Sequence, residues 1–129
     1  MKTPSSRKSA RADPVPVPDT DRDHLFDDAN GNLALGDLED AVALYRRCVA
    51  LDPDFFDGWH ALGMCLLKLG EIKEAIGCGL QATTLRPNDL LAWTALSQMY
   101  VRDGQIGEAE FAKGNARILS LGGKVVRES

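Results

Sequence analysis

Between residues 56 and 69, large and small apolar residues fall on one face of a predicted helix. The positions at i, i+3, i+4 and i+7 form a buried helical stripe, and they hold Trp59, Leu62, Gly63 and Leu66. Gly70 predicts the end of this helix, because glycine readily adopts the left-handed conformation of a helix terminus. A second helix is predicted from residue 71 to residue 85, and Pro87 cannot continue it. The pattern therefore predicts a helical hairpin.

The same pattern returns at an offset of 34 residues. Trp59 is matched by Trp93, and further matched pairs are Leu62–Leu96, Gly70–Gly104, Ala75–Ala109, Ala82–Ala116 and Pro53–Pro87. A period of this length is typical of solenoids, in which each repeat is one supersecondary unit. Three units are predicted, at 22–55, 56–89 and 90–123. Because a single hairpin cannot bury its apolar face, we expect the units to stack.

The repeated residues resemble the tetratricopeptide repeat over about 100 of the 129 residues. The second unit carries the resemblance through Trp59-x-x-Leu62-Gly63-x-x-Leu66, then Ala75, Ala82 and Pro87. The first unit matches only in its second half, because its first half has Leu25, Asp28 and Asn32 where the tryptophan, leucine and bulky residue would stand. The resemblance implies an all-α fold, a right-handed superhelix of three helix-turn-helix hairpins.

Both ends of the chain depart from the repeat. Residues 1–20 hold four of the six prolines and almost no large apolar residue, so we expect a disordered arm that acts as a stiff linker or as a polyproline ligand. The helical domain is predicted over 21–123, with a flexible tail at 124–129. Asn30-Gly31-Asn32 is locally typical of a turn, yet we expect the first helix to continue through it, because terminal repeats are often atypical.

The resemblance also implies that one face of each first helix lines a concave groove. By helical spacing, the face opposite the tryptophan stripe supplies eight candidate partner-binding residues: Phe26, Asn30, His60, Met64, Lys68, Leu91, Gln98 and Arg102. This mixture of apolar and polar side chains would suit an amphipathic helix or an extended peptide. The alternative is that some of them only pack between neighbouring helices. Lys68 and Arg102 also lie near predicted helix C-termini. There the helix dipole stabilises a cation, which explains both residues without any ligand.

Composition and charge narrow the function classes. The net charge of −4 argues against nucleic-acid binding, and no apolar stretch is long enough for a membrane span. The three cysteines are odd in number and lack metal-ligand spacing, which favours a reducing, cytoplasmic location. His60 and Met64 share a face, but the spacing suggests no complete ligand set, so no metal is expected. No catalytic or cofactor-binding motif is present, and we expect neither an enzyme nor a cofactor.

The sequence thus favours a protein-interaction module, an adaptor or scaffold whose groove binds a protein or peptide partner. One alternative is self-assembly into a homo-oligomer through the final helix, which carries Phe111 and Ile118. A second is a three-repeat chaperone of the secretion type. Some family members bind the terminal carboxylate of a chaperone tail with a set of lysine, arginine and asparagine residues, and of that set only Asn30 stands at a matching position here. The positions where the basic residues would be expected hold Phe26, Leu91 and Ala95, so we do not expect that specificity.

Overall fold

The computed structural model describes residues 18–125, and side chains from residue 21. It contains six α-helices: α1 (Pro18–Ala34), α2 (Leu38–Leu51), α3 (Phe56–Leu69), α4 (Ile72–Leu85), α5 (Leu90–Arg102) and α6 (Ile106–Ser120). The described residues include no β-strand. Helix α1 begins three residues before the domain boundary suggested by the sequence, whereas residues 1–17 of the predicted arm and 126–129 of the predicted tail lie outside the described part.

The helices pair in chain order into three hairpins, α1–α2, α3–α4 and α5–α6. Successive hairpins stack, because α2 packs against α3 and α4 packs against α5. The first helices of the second and third hairpins, α3 and α5, also touch. The predicted organisation as helical hairpins is therefore confirmed, and most of the buried apolar residues belong to one continuous core cluster.

Small residues let the helices of the second and third hairpins approach closely. A Cβ atom built at Gly63 would lie 3.2 Å from the Cβ of Cys78 in the paired helix and 2.9 Å from Met99 Cε in the next hairpin. A Cβ atom at Gly79 would lie 2.9 Å from Met99 Sδ. Leu66, Leu96 and Met99 fill the space around these contacts and are each 1% exposed. The glycines are thus part of the packing between hairpins.

The connections repeat from one hairpin to the next. Gly70 and Gly104 have φ angles of 86° and 77°, a backbone conformation that favours glycine, and both follow the first helix of their hairpin. Asp89 caps α5, since its carboxylate accepts a hydrogen bond from the backbone N–H of Ala92 at 3.0 Å. The indole N–H groups of Trp59 and Trp93 donate to the carbonyl oxygens of Pro53 and Pro87 at 2.7 and 2.8 Å. Each half-buried tryptophan therefore holds the loop before its own helix.

Helix α1 is continuous through Asn30-Gly31-Asn32, as predicted. It has little amphipathic character, and polar and aromatic contacts attach it to its neighbours. The hydroxyl of the buried Tyr45 donates a hydrogen bond to Asn30 Oδ1. The Arg22 guanidinium pairs with Asp52 and lies 4.1 Å from the centre of the Phe55 ring. These contacts replace the tryptophan stripe that the first hairpin lacks.

Candidate functional site

The eight predicted groove residues all lie on the first helices of the hairpins, but their surroundings differ. Five are exposed: Asn30, Lys68, Leu91, Gln98 and Arg102. Three are half-buried: Phe26, His60 and Met64. Leu91 is 66% exposed and the adjacent Leu90 is 42% exposed, so the beginning of α5 presents apolar surface to the solvent.

The two predicted residues of α1 belong to the packing of the first hairpin. The Phe26 ring contacts Tyr45 and Phe55, with ring centres 5.7 and 5.0 Å apart. Asn30 accepts the Tyr45 hydroxyl hydrogen bond, and burial raises the pKa of Tyr45 to about 12. At this end of the predicted groove, the side chains are therefore held by their own hairpin.

In α3, two of the predicted residues are partly covered by their neighbours and the third is exposed. His60 stacks on Phe56 with nearly parallel rings, 8° apart, and a centre-to-centre distance of 5.9 Å. Met64 packs against the core cluster and is half-buried. Lys68 is exposed in the last turn of the helix. A charge introduced at Met64 would therefore disturb packing as well as any binding surface.

Two of the predicted residues, Gln98 and Arg102, lie together in one pocket, which we call the terminal pocket. Its volume is about 570 Å³, and its lining is Leu67 of α3, Thr94, Ser97, Gln98, Val101 and Arg102 of α5, and Glu110, Lys113 and Ala116 of α6. Val101 is 55% exposed and supplies apolar surface beside these polar groups. The lining of the pocket thus combines apolar side chains with positively and negatively charged ones.

The side of the terminal pocket that belongs to α6 was not foreseen from the sequence. The equivalent positions in α4, Ile76 and Gly79, are buried under the following hairpin, whereas Glu110 and Lys113 of α6 are exposed. The sequence does contain a signal for this surface: two positions that are apolar or small in one repeat are charged in the next. Ser97, also in the lining, donates its hydroxyl proton to the carbonyl oxygen of Ala109 at 3.1 Å and joins α5 to α6.

The three cysteines are buried free thiols. Burial raises the pKa of Cys48 to about 11 and the pKa of Cys78 to about 12, and it also raises the pKa of Cys65. At neutral pH these groups are protonated and therefore poor nucleophiles. Within residues 18–125, no three His, Cys, Asp or Glu side chains are grouped so that they could hold a metal ion. None of the helices in this part of the chain has both the length and the apolar character needed to cross a membrane.

The comparisons with known proteins identify the same repeat. The tetratricopeptide repeat model matches residues 32–78, from the last turn of α1 into α4. A search of the curated proteins gives no match. Among solved structures, the chain is similar to MamA, with 20% identity and a TM-score of 0.75 over 79% of this chain and 60% of that chain. The chain thus spans 60% of the length of that MamA chain.

Two further structures have the same fold. One is the second tetratricopeptide repeat domain of Spaghetti (RPAP3) bound to the HSP90 peptide SRMEEVD, at 23% identity and a TM-score of 0.73, over 77% of this chain and 92% of that chain. The other is the Yersinia enterocolitica type III secretion translocator chaperone SycD (alternative dimer), at 19% identity and a TM-score of 0.74, over 80% and 78% of the two chains. Together with the six helices, these likenesses confirm the predicted all-α, right-handed superhelix of three hairpins.

Proposed function

We propose that this tetratricopeptide repeat protein is an adaptor or scaffold that binds a peptide or helix of a partner protein along its first helices, in a concave groove. The terminal pocket is the observation that carries the proposal. It places Gln98 and Arg102 beside the exposed Val101, within reach of Leu67 from the preceding hairpin. Apolar surface with a few polar groups at its edge is what an amphipathic segment needs.

The ends of the first helices support a preference in orientation. Lys68 and Arg102 stand in the last turns of α3 and α5, while Asp57 stands in the first turn of α3. One edge of the proposed groove therefore carries two cations, whereas the other carries a single carboxylate, on α3. A partner segment with acidic residues toward the Lys68–Arg102 edge would gain attraction and a defined register.

Capture from cell extract with three baits tests the proposal. The groove variant is Leu91→Glu with Gln98→Glu, because both side chains are exposed and the helices of the stack do not depend on them. The control variant is Ala43→Glu with Ala50→Glu, which adds the same number of carboxylates to exposed positions of α2. We expect the groove variant to lose partners that the wild-type protein and the control retain, because burying an unpaired carboxylate is costly. Equal recovery by all three baits would contradict the proposal.

The residues of the proposed groove also predict that one particular peptide does not bind. The similar Spaghetti domain was solved with the peptide SRMEEVD. In this chain, Phe26, Leu91 and Ala95 occupy the positions where the family's carboxylate-binding basic residues would stand. In a fluorescence polarisation titration with labelled SRMEEVD, we expect no saturable binding below about 1 mM, an affinity that corresponds to about 4 kcal/mol. Micromolar binding would show that other residues recognise the carboxylate.

Self-assembly is the second candidate, and the exposed apolar residues of the last hairpin favour it. Ile106, Phe111 and Leu121 are 57%, 65% and 80% exposed. Apolar side chains exposed along the last helix of the stack could pack against a second copy of the chain. Sedimentation at rising concentration distinguishes the two candidates, since a monomer at all concentrations contradicts self-assembly and leaves the groove proposal intact. The third possibility, a secretion-type chaperone, has only the fold of SycD in its support.

A further inference from the structure

Two further pockets are related by the 34-residue period: one is lined by residues of α2, α3 and α4, and the other by residues of α4, α5 and α6. The Trp59 pocket, of about 450 Å³, includes Arg46, Trp59, Leu62, Glu74 and Gly77 in its lining. The Trp93 pocket, of about 370 Å³, includes the equivalent residues of the next repeat, Leu80, Trp93, Leu96, Glu108 and Phe111. The same location in two successive repeats is therefore lined by partly different chemistry.

In the Trp59 pocket, the chain supplies its own arginine. Arg46 binds the Glu74 carboxylate through two atoms, with Nη2 at 2.6 Å from Oε1 and Nε at 3.0 Å from Oε2. Hydrogen bonds through both atoms fix the guanidinium in one orientation, which a lysine could not reproduce. The carboxylate and the arginine together form one edge of this pocket.

In the Trp93 pocket, the carboxylate is retained but the arginine is absent. Glu108 is the equivalent of Glu74, and Leu80 stands where Arg46 stands one repeat earlier. Within the described residues, Glu108 takes part in no salt bridge. Tyr100 also lines this pocket; burial raises its pKa, and the nearby Glu108 carboxylate acts in the same direction.

The Trp93 pocket also gains an apolar wall. Phe111 replaces Gly77, and its ring meets Trp93 edge-on, with ring centres 6.2 Å apart. Phe111 is 65% exposed and Leu80 is 46% exposed, so both present apolar surface to the solvent. An aromatic wall beside an unpaired carboxylate is suited to a side chain with an apolar stem and a cationic end.

We propose that the Trp93 pocket binds an arginine side chain of a partner protein, from a segment in which an apolar residue flanks that arginine. The incoming guanidinium pairs with Glu108 as Arg46 pairs with Glu74, and its methylene stem lies against Trp93 and Phe111. The flanking apolar residue covers Leu80. The internal repeat is the precedent, since the same fold already holds an arginine at the equivalent position. The lining of the Trp93 pocket shares no residue with that of the terminal pocket, so the two contacts can be tested separately.

A peptide selection that removes groove binders tests this inference. A library of random 12-residue peptides, displayed on phage, is selected on the wild-type protein after depletion on the Leu80→Arg variant. That variant places the chain's own guanidinium beside Glu108, as Arg46 is placed beside Glu74, and leaves the groove unchanged. Peptides that bind the groove are retained by both proteins and are depleted. We expect the enriched peptides to share an arginine next to an apolar residue.

The affinity of one enriched peptide then assigns the contacts. Because hydrogen bonds between charged partners are the strong ones, we expect Glu108→Gln to weaken binding about tenfold or more. Phe111→Ala should weaken it by a smaller factor, and the groove variant Leu91→Glu with Gln98→Glu should change it less than about twofold, since that surface is separate. Replacing the arginine of the peptide by citrulline, which keeps the shape but not the charge, should weaken binding as much as Glu108→Gln does.

Three results would overturn the inference. The first is that no peptide is enriched over the Leu80→Arg depletion, while circular dichroism shows that this variant is as helical as the wild type. The second is that enriched peptides share no basic residue. The third is a wild-type dimer in sedimentation that dissociates in Leu80→Arg, because that result assigns the pocket to a second copy of the chain. Loss of groove binding in the capture experiment has no bearing on these outcomes.

Discussion

The first and second hairpins share small residues between their helices but differ in the contacts around them. In the second, a Cβ at Gly63 would lie 3.2 Å from that of Cys78. In the first, Ala29 stands at the position equivalent to Gly63 and is fully buried. The first hairpin adds polar and aromatic contacts, among them the hydrogen bond from Tyr45 to Asn30. The repeat therefore keeps small residues where its helices meet, and polar and aromatic contacts supplement them in the hairpin that lacks the tryptophan.

The largest expected effect comes from the apolar core of the second hairpin. Leu66 is 1% exposed, and Leu66→Ala would leave a cavity among tightly packed neighbours. We expect a loss of about 2–5 kcal/mol in the free energy of unfolding, measured by urea denaturation. Leu35→Ala is the control, because Leu35 is 77% exposed and its truncation should leave the midpoint almost unchanged. Similar midpoints for both variants would contradict the packing of this hairpin.

Substitutions of Gly31 in α1 and of Gly63 in α3 should change the stability of the protein in opposite directions. Gly63→Val overpacks a close contact and should destabilise the protein by about 1–3 kcal/mol. Gly31→Ala adds a methyl group in open space inside a helix and should stabilise it by about 0.5–1 kcal/mol. Thermal melts of the two variants measure both effects. A destabilising Gly31→Ala would contradict the open space around a Cβ atom at this position of α1.

The polar attachment of the first hairpin should have a smaller effect. Tyr45→Phe keeps the buried ring and removes only the hydroxyl that donates to Asn30. We expect a loss of about 0.5–1.5 kcal/mol, the usual net contribution of one hydrogen bond. A double-mutant cycle with Asn30→Ala isolates the pairwise contribution. Additive losses in that cycle would mean that the hydrogen bond does not hold α1 to α2.

The smallest effect concerns the contact between the second and third hairpins at Asp103. Hydrogen bonds from Lys73 and Gln105 lower the pKa of Asp103 below its usual value. A lowered pKa in the folded state stabilises the protein above the unfolded pKa, and this contribution is lost as the pH falls through the lowered value. Asp103→Asn should therefore flatten the acid side of a plot of melting temperature against pH. An identical slope in wild type and variant would contradict this prediction.

The regular part of the fold could be predicted because the 34-residue period repeats side-chain sizes as well as polarity. Gly70 and the paired tryptophans indicated a helix end and a buried stripe that the structure contains. The continuity of α1 depended on the repeat rather than on its local sequence, which is typical of a turn. Tertiary contacts at Asn30 and Phe26 explain why the helix forms there.

The candidate groove was predicted less completely, because helical spacing gives a direction but not the depth of burial. Spacing placed Phe26 and Gln98 on one face, yet Phe26 is half-buried in its own hairpin and Gln98 lines an open pocket. Spacing within one helix also says nothing of a neighbouring helix. The contribution of Glu110 and Lys113 therefore depends on the packing of α6 beside α5, which places them in the same pocket as Gln98.

Chemical-shift mapping of a bound peptide tests the central claim, that the first helices carry the binding surface. A helical peptide derived from a captured partner is added to ¹⁵N-labelled protein, and amide shifts are followed to saturation. We expect the largest changes at Leu91, Gln98 and Arg102 and at neighbouring positions of α3 and α6. Changes confined to α2, to α4 and to the outer side of α6, with Leu91 and Gln98 unmoved, would contradict the claim.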